Sequence, residues 1–126
     1  MADVRMRQKD AIEWSTTSME MGEQRGMIEL VFIPQPLCTR CQSDALEWVE
    51  STGRGTVYSH TVVHRPPRPA FAVPYVVAIV ELDEGWHMLT NLIDCRPEEV
   101  CVGMPVEVAF RPASEAITLP YFRPRA

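Results

Sequence analysis

The stretch from Gly53 to Ile93 constrains this chain more than any other part of it. Gly55-Thr56-Val57-Tyr58-Ser59-His60-Thr61-Val62-Val63-His64 is followed by the proline-rich run Arg65-Pro66-Pro67-Arg68-Pro69-Ala70-Phe71-Ala72-Val73-Pro74. Tyr75 to Leu82 comes next, then Asp83-Glu84-Gly85, then Trp86 to Ile93. β-Branched and aromatic residues dominate the three segments, and proline and glycine punctuate them, which is the pattern of strands joined by structured turns. Tyr75–Leu82 is apolar on both faces, as a covered central strand is. Asp83-Glu84-Gly85 suits a short hairpin, with Gly85 where a positive φ is needed. In the first segment Val57, Ser59, Thr61 and Val63 alternate with Tyr58, His60, Val62 and His64. Both sets are half apolar, so periodicity leaves open which one faces inward.

The remainder attaches to this sheet. Arg5 to Met21 carries a weak helical pattern in which Ala11, Ile12 and Ser15 share a face, although Ser15-Thr16-Thr17-Ser18 is a poor helix interior. Met27 to Ile33 is an extended run stopped by Pro34 and Pro36. Cys38-Thr39-Arg40-Cys41 forms a knuckle-like turn, and Leu46 to Glu50 alternates as a strand does. After the central stretch, Arg96-Pro97-Glu98-Glu99-Val100 reads as one helical turn, with proline early and two acids where the helix dipole favours them. Val106 to Phe110 and Ile117 to Tyr121 add two more strands. Five short strands with a helical turn between the third and fourth describe a Greek-key OB-fold barrel. A sandwich or a β-grasp arrangement fits the strand count as well, but the order of elements favours the barrel.

Charge and composition narrow the function. The 126 residues, 46% of them apolar, can build one domain with a real core, and eleven prolines argue for short strands over long helices. A net charge of −5 disfavours nucleic acid, which needs a clustered positive field. Arg65, Arg68, Arg123 and Arg125 are the candidates for a local basic patch. Met1 to Asp10 is charged and lacks the apolar core of a signal peptide, and no apolar run approaches the roughly 20 residues that span a bilayer. Four cysteines without a secretory context point to reduced thiols in the cytoplasm.

Each motif has a plain structural alternative. Cys38 and Cys41 have the spacing of two zinc thiolates, but a structural site needs four ligands. His60 and His64 do not complete it: four residues along a strand span roughly 13 Å, whereas zinc ligands lie about 2 Å from the metal. Cys95 and Cys101 belong to a distant part of the sheet sequence. A redox pair at Cys38 and Cys41 lacks the strand–helix context such motifs have. The histidines have no recognisable nucleophile motif beside them. Glu98-Glu99 and Asp83-Glu84 belong to turns and are expected to be solvated, and there is no phosphate-binding glycine loop. The stiff loop His64-Arg65-Pro66-Pro67-Arg68-Pro69, followed by Phe71 and Tyr75, loses little conformational entropy on binding, which favours a docking surface.

Several ordered motifs then match one family. Gly53-Arg54-Gly55-Thr56-Val57-Tyr58-Ser59, Val62-Val63-His64-Arg65-Pro66-Pro67 and Pro74 through Gly85 carry the resemblance. Asn91-Leu92-Ile93, Val102-Gly103-Met104-Pro105-Val106 and Leu119-Pro120-Tyr121-Phe122-Arg123-Pro124 continue it. The chain resembles the zinc-ribbon/OB-fold proteins found beside thiolase-like enzymes, from about Pro34 to the C-terminus and more weakly around Ile12-Glu13-Trp14. The resemblance implies an N-terminal helix, a four-cysteine zinc ribbon and an OB-fold. It also implies an accessory role with acyltransferases, acyl-CoA synthesising enzymes or steroid side-chain retro-aldolases, in which the OB-fold packs on the catalytic subunit and helps hold acyl-CoA. The ribbon departs from the pattern. Its first cysteine pair would fall near Gln24 and Met27, neither of which is cysteine, so Cys38 and Cys41 supply half a zinc site. Packing by Met27, Ile28, Leu30, Val31 and Phe32 is the expected substitute for the metal.

The resulting expectation is a mainly β chain: an N-terminal helical segment (residues 1–22), a degenerate rubredoxin-like ribbon (23–50) and a five-stranded OB-fold (51–126). It is expected to act as a non-catalytic, cytoplasmic partner of a thiolase-superfamily enzyme in a hetero-oligomer. The contact residues expected are His64, Arg65, Pro66, Arg68, Phe71, Tyr75 and Trp86, chosen as rigid aromatic, proline and cationic surface. A free-standing acyl-CoA-binding module is the alternative. A single-stranded nucleic-acid binder is a weaker one, for want of a basic groove with interleaved aromatics.

Overall fold

In the computed structural model the described residues are 13–19, 27–31, 36–37, 42, 44 and 46–126. Two compact units make up the chain, Met1–Thr52 and Gly53–Ala126.

In the first unit, β1 (Glu13–Met19), β2 (Met27–Val31) and β3 (Leu46–Glu50) form an antiparallel sheet in the order β2-β1-β3. This corrects the helix expected over the N-terminal segment. Residues 13–19 are a strand, pairing Ser15 with Val31 on one side and with Trp48 on the other. Thr16 and Thr17 are β-branched and the flanking serines compete for backbone hydrogen bonds, so the segment has little to gain as a helix and two ladders to gain as a central strand. Residues 1–12 and 20–22, where the rest of the expected helix falls, lie outside the described residues, as do Cys38 and Cys41. Among the described residues no helix is long and apolar enough to cross a membrane.

The second unit is a closed barrel of β4 (Arg54–Val63), β5 (Tyr75–Leu82), β6 (His87–Leu92), β7 (Pro105–Pro112) and β8 (Thr118–Pro124), ordered β4-β5-β6-β8-β7. A 3-10 turn, Pro97–Glu99, sits between β6 and β7. Closure of five strands in this order is the OB-fold, and it excludes the open alternatives. The seam is parallel: Leu92 of β6 pairs with Phe122 of β8, and the Ile93 N–H donates to the Phe122 carbonyl at 2.8 Å.

Alternation on β5 and β6 fills the barrel. Val76, Ala78, Val80 and Leu82 point in from β5, and Met88, Thr90 and Leu92 from β6. They meet Val57, Val106 and the fully buried Phe122. Each such apolar side chain contributes about 1.5–3 kcal/mol by leaving water. Thr90 is the polar member of this layer, and its hydroxyl donates to the Pro120 carbonyl at 3.0 Å, which offsets the cost of its burial.

The ambiguity of β4 has a structural cause. Its pairing with β5 slips between Val57 and Ser59: Val57 opposes Val80 and Ser59 opposes Ile79, leaving Tyr58 as the extra residue. This β-bulge exchanges the two faces of the strand midway. Val57 and Val62 therefore share a side, being opposite the buried Val80 and Val76. Neither alternating set read from the sequence is the inner face.

Candidate binding face

In OB-folds the outer face of the second and third strands, with the loops after the first and fourth, is the usual ligand surface. Here those elements are β5, β6, loop 64–74 and loop 113–117.

Loop 64–74 is shaped by its own backbone. The Phe71 N–H donates to the Arg68 carbonyl at 3.1 Å, a turn that carries the chain round Pro69 and Ala70. It brings the Phe71 ring onto Tyr75, with centroids 6.0 Å apart and planes 30° from parallel. His64, Arg65, Arg68 and Phe71 are exposed, while Pro66 and Tyr75 are half-buried. These expected contact residues are thus gathered in one loop and the start of β5. Trp86 is not among them. It is 8% exposed and lies at the foot of the β5–β6 hairpin, where its carbonyl accepts from the Leu82 N–H at 2.9 Å. Most of the Trp86 side chain is packed into the core, so it offers a partner little surface there.

Below the loop, the outward residues of β5 are Tyr75, Val77, Ile79 and Glu81, and those of β6 are His87, Leu89 and Asn91. Ile79 lies between Ser59 and Leu89 across the sheet. Leu89 is 69% exposed and Tyr58 56%. The bulge turns Tyr58 outward, and its ring meets His87 edge-on at 4.6 Å. Sequence reasoning missed Tyr58, Ile79 and Leu89. The bulge hides the first, and the continuous apolar character of β5 and β6 masks the others.

Three other arginines of the barrel are held by carboxylates, while the Nε of Arg125 is buried without a hydrogen-bond partner. Arg96 bonds Glu99, Arg111 bonds Asp94 at 2.8 Å, and Arg123 bonds Glu107 at 3.0 Å. Arg65 and Arg68 have no carboxylate partner among the described residues. Between Gly55 and Val80 they are the sole Asp, Glu, Lys or Arg residues, and Gly85 to Ile93 carries none.

The thiols of this unit are not arranged as a centre. Cys95 is partly buried and Cys101 exposed, both free. Burial pushes the Cys95 thiol pKa up, and the nearby carboxylates of Glu99 and Asp94 add to the shift. Among the described residues no group of three or more His, Cys, Asp or Glu is placed to hold a metal ion.

This geometry has known counterparts. Residues 48–111 match the family described as ChsH2, C-terminal OB-fold domain. A probable enoyl-CoA hydratase alpha subunit from Thermomonospora curvata is 48% identical over 91 residues, 72% of this chain and 28% of that protein. A DUF35 domain-containing scaffold protein from Methanocaldococcus jannaschii is 39% identical over 88 residues, 68% of this chain and 62% of that one. This chain thus spans about a quarter of the first relative and under two thirds of the second. A chain in the solved structure of an Ltp2-ChsH2(DUF35) aldolase superposes with a TM-score of 0.79 at 39% identity, covering 90% of this chain and 84% of that one. The sheet order, the matched span and these likenesses agree: the chain belongs to the ChsH2 C-terminal OB-fold domain family.

Proposed function

We propose that this chain is a non-catalytic, cytoplasmic accessory subunit that binds a thiolase-like aldolase and supports its chemistry on acyl-CoA substrates. The observation that carries the reading is the likeness, at 39% identity over most of both chains, to a component of an Ltp2-ChsH2(DUF35) aldolase. Two hydratase alpha subunits among the relatives act, by name, on CoA thioesters, which supports the acyl-CoA setting. Two more relatives of similar coverage, from Pyrococcus furiosus and Methanothermobacter thermautotrophicus, are named scaffold proteins. The barrel suits such a role physically: it offers an exposed apolar face and a rigid loop, and its charged pairs are surface ties, not a nucleophile and base in contact.

The test is reconstitution with the thiolase-superfamily aldolase subunit of the same host. Co-elution as a complex, with higher aldolase activity than the catalytic subunit alone, is the expected result. If no complex forms and calorimetry on the isolated chain gives saturable heat with an acyl-CoA, the chain is a free-standing acyl-CoA-binding module instead.

A further inference from the structure

We infer that the outer strip of the barrel running from Phe71 through Tyr75, Val77 and Ile79 to Leu89, with Arg65 and Arg68 at its loop end, is the docking surface. Its occupant is an apolar patch rimmed by carboxylates on the thiolase-like aldolase subunit. This assignment rests on the accessory-subunit reading above and adds to it the place and the chemistry of contact.

Three observations converge on the strip. The first is apolar continuity. Phe71 stacks on Tyr75, and Tyr75, Val77 and Ile79 follow one another along the outer face of β5, about 13 Å of strand. Ile79 then pairs with Leu89. Phe71 is 47% exposed and Leu89 69%, so the row leaves large apolar side chains in water along a line, not as scattered single residues. The second is stiffness. Pro66, Pro67, Pro69 and Pro74 restrict the loop, and the Arg68–Phe71 turn and the Phe71–Tyr75 stack hold it against the strand, so ordering on contact costs little.

The third is charge. The chain carries −5 overall, yet this surface is positive and free of carboxylates until Glu81 at its far end. Arg96, Arg111 and Arg123 already have carboxylates. Arg65 and Arg68 do not, and two guanidiniums on a rigid loop are suited to forked bonds with carboxylates of another molecule. An acidic partner surface is attracted to this exposed pair of guanidiniums, which favours this face and orients the approach.

The experiment measures affinity of the full-length chain for the purified aldolase subunit by biolayer interferometry at low and high salt. It compares wild type with an Arg65→Glu/Arg68→Glu double variant, a Leu89→Asp variant and a Glu98→Lys control on the 3-10 turn. The inference expects the charge reversal to weaken binding by on the order of a hundredfold and to remove its salt dependence. Leu89→Asp is expected to weaken binding at least about tenfold, with Glu98→Lys close to wild type. Thermal melts accompany each variant; Arg65 and Arg68 are exposed, so the double variant remains decisive even if Leu89→Asp unfolds. If wild type binds and the strip variants bind equally well, the accessory reading stands and this surface is wrong. If wild type fails to bind, the reading itself falls and the surface with it. If the double variant keeps its aldolase affinity but loses calorimetric heat with coenzyme A, the arginines form a coenzyme site and the docking assignment is overturned.

Discussion

Two long connections in the barrel handle their polar groups in opposite ways. Between β6 and β7, Arg96 is the N-cap of the 3-10 turn, and its backbone N–H and guanidinium both donate to the Glu99 carboxylate, while Asp94 accepts from Arg111 of β7. Between β4 and β5, the arginines face water without a carboxylate and the aromatic ring of Phe71 stays half uncovered. The first connection satisfies itself, so it serves the fold. The second is ordered without being satisfied, which is what a contact surface for another molecule requires.

The largest expected effect tests the scaffold that both connections share. Phe122 is fully buried where β6 and β8 meet, so Phe122→Ala should cost about 3–5 kcal/mol and disorder both connections together. Urea unfolding should show the midpoint collapse; a shift under about 1 kcal/mol would mean that the seam is not the keystone of the barrel.

Gly55→Ala should rank second. A Cβ there would collide with the Glu81 carbonyl oxygen of β5 and lie 2.9 Å from Val80 Cγ1. A backbone oxygen in a ladder cannot step aside, so the cost should be about 1–3 kcal/mol, again read from unfolding midpoints. An unchanged midpoint would show that β4 and β5 part more readily than their register implies.

The third prediction separates the two connections directly. Arg111→Ala removes an exposed ion pair and should cost about 0.2–1 kcal/mol. Arg68→Ala removes nothing from the described fold and should leave stability within about 0.5 kcal/mol. Paired melts at low salt make the comparison. Equal losses would erase the distinction between a self-satisfied connection and an outward-facing one.

The smallest effect concerns acid. Hydrogen bonds from Arg96, first from its side chain and then from its backbone, hold the Glu99 carboxyl below its ordinary range. A carboxyl lowered in the folded state adds stability above its unfolded pKa and loses it as pH falls through the folded value. Melting temperatures between about pH 3 and 6 should therefore fall slightly more steeply for wild type than for Arg96→Ala. Parallel profiles would show that solvent screens the pair completely.

Much of the barrel was legible in the sequence because its signals are local. β5 begins and ends where its β-branched run does, the turn at Asp83-Glu84-Gly85 places Gly85 at φ +94, and Pro97 opens the 3-10 turn. Loop 64–74 was legible as a stiff exposed segment for the same reason. How little of Trp86 reaches the surface was not legible, because exposure is not a property of residue type. The N-terminal segment was misread because a weak helical period is outweighed when two other segments offer ladders to the same seven residues.

The sequence by itself determined the strands of the barrel, the turns between them and the placement of charge, since each follows from propensity and composition over a few residues. Only the tertiary structure decided which side of each strand is inside. The bulge at Tyr58 shifts the β4 register by one residue, and a side-chain period of two turns that single step into an exchange of faces. Sheet pairing also decided that Ile79 and Leu89 lie side by side, and that Arg111 and Arg123 find carboxylates while Arg65 and Arg68 do not. Those are long-range matters, settled by which strands meet and in what register.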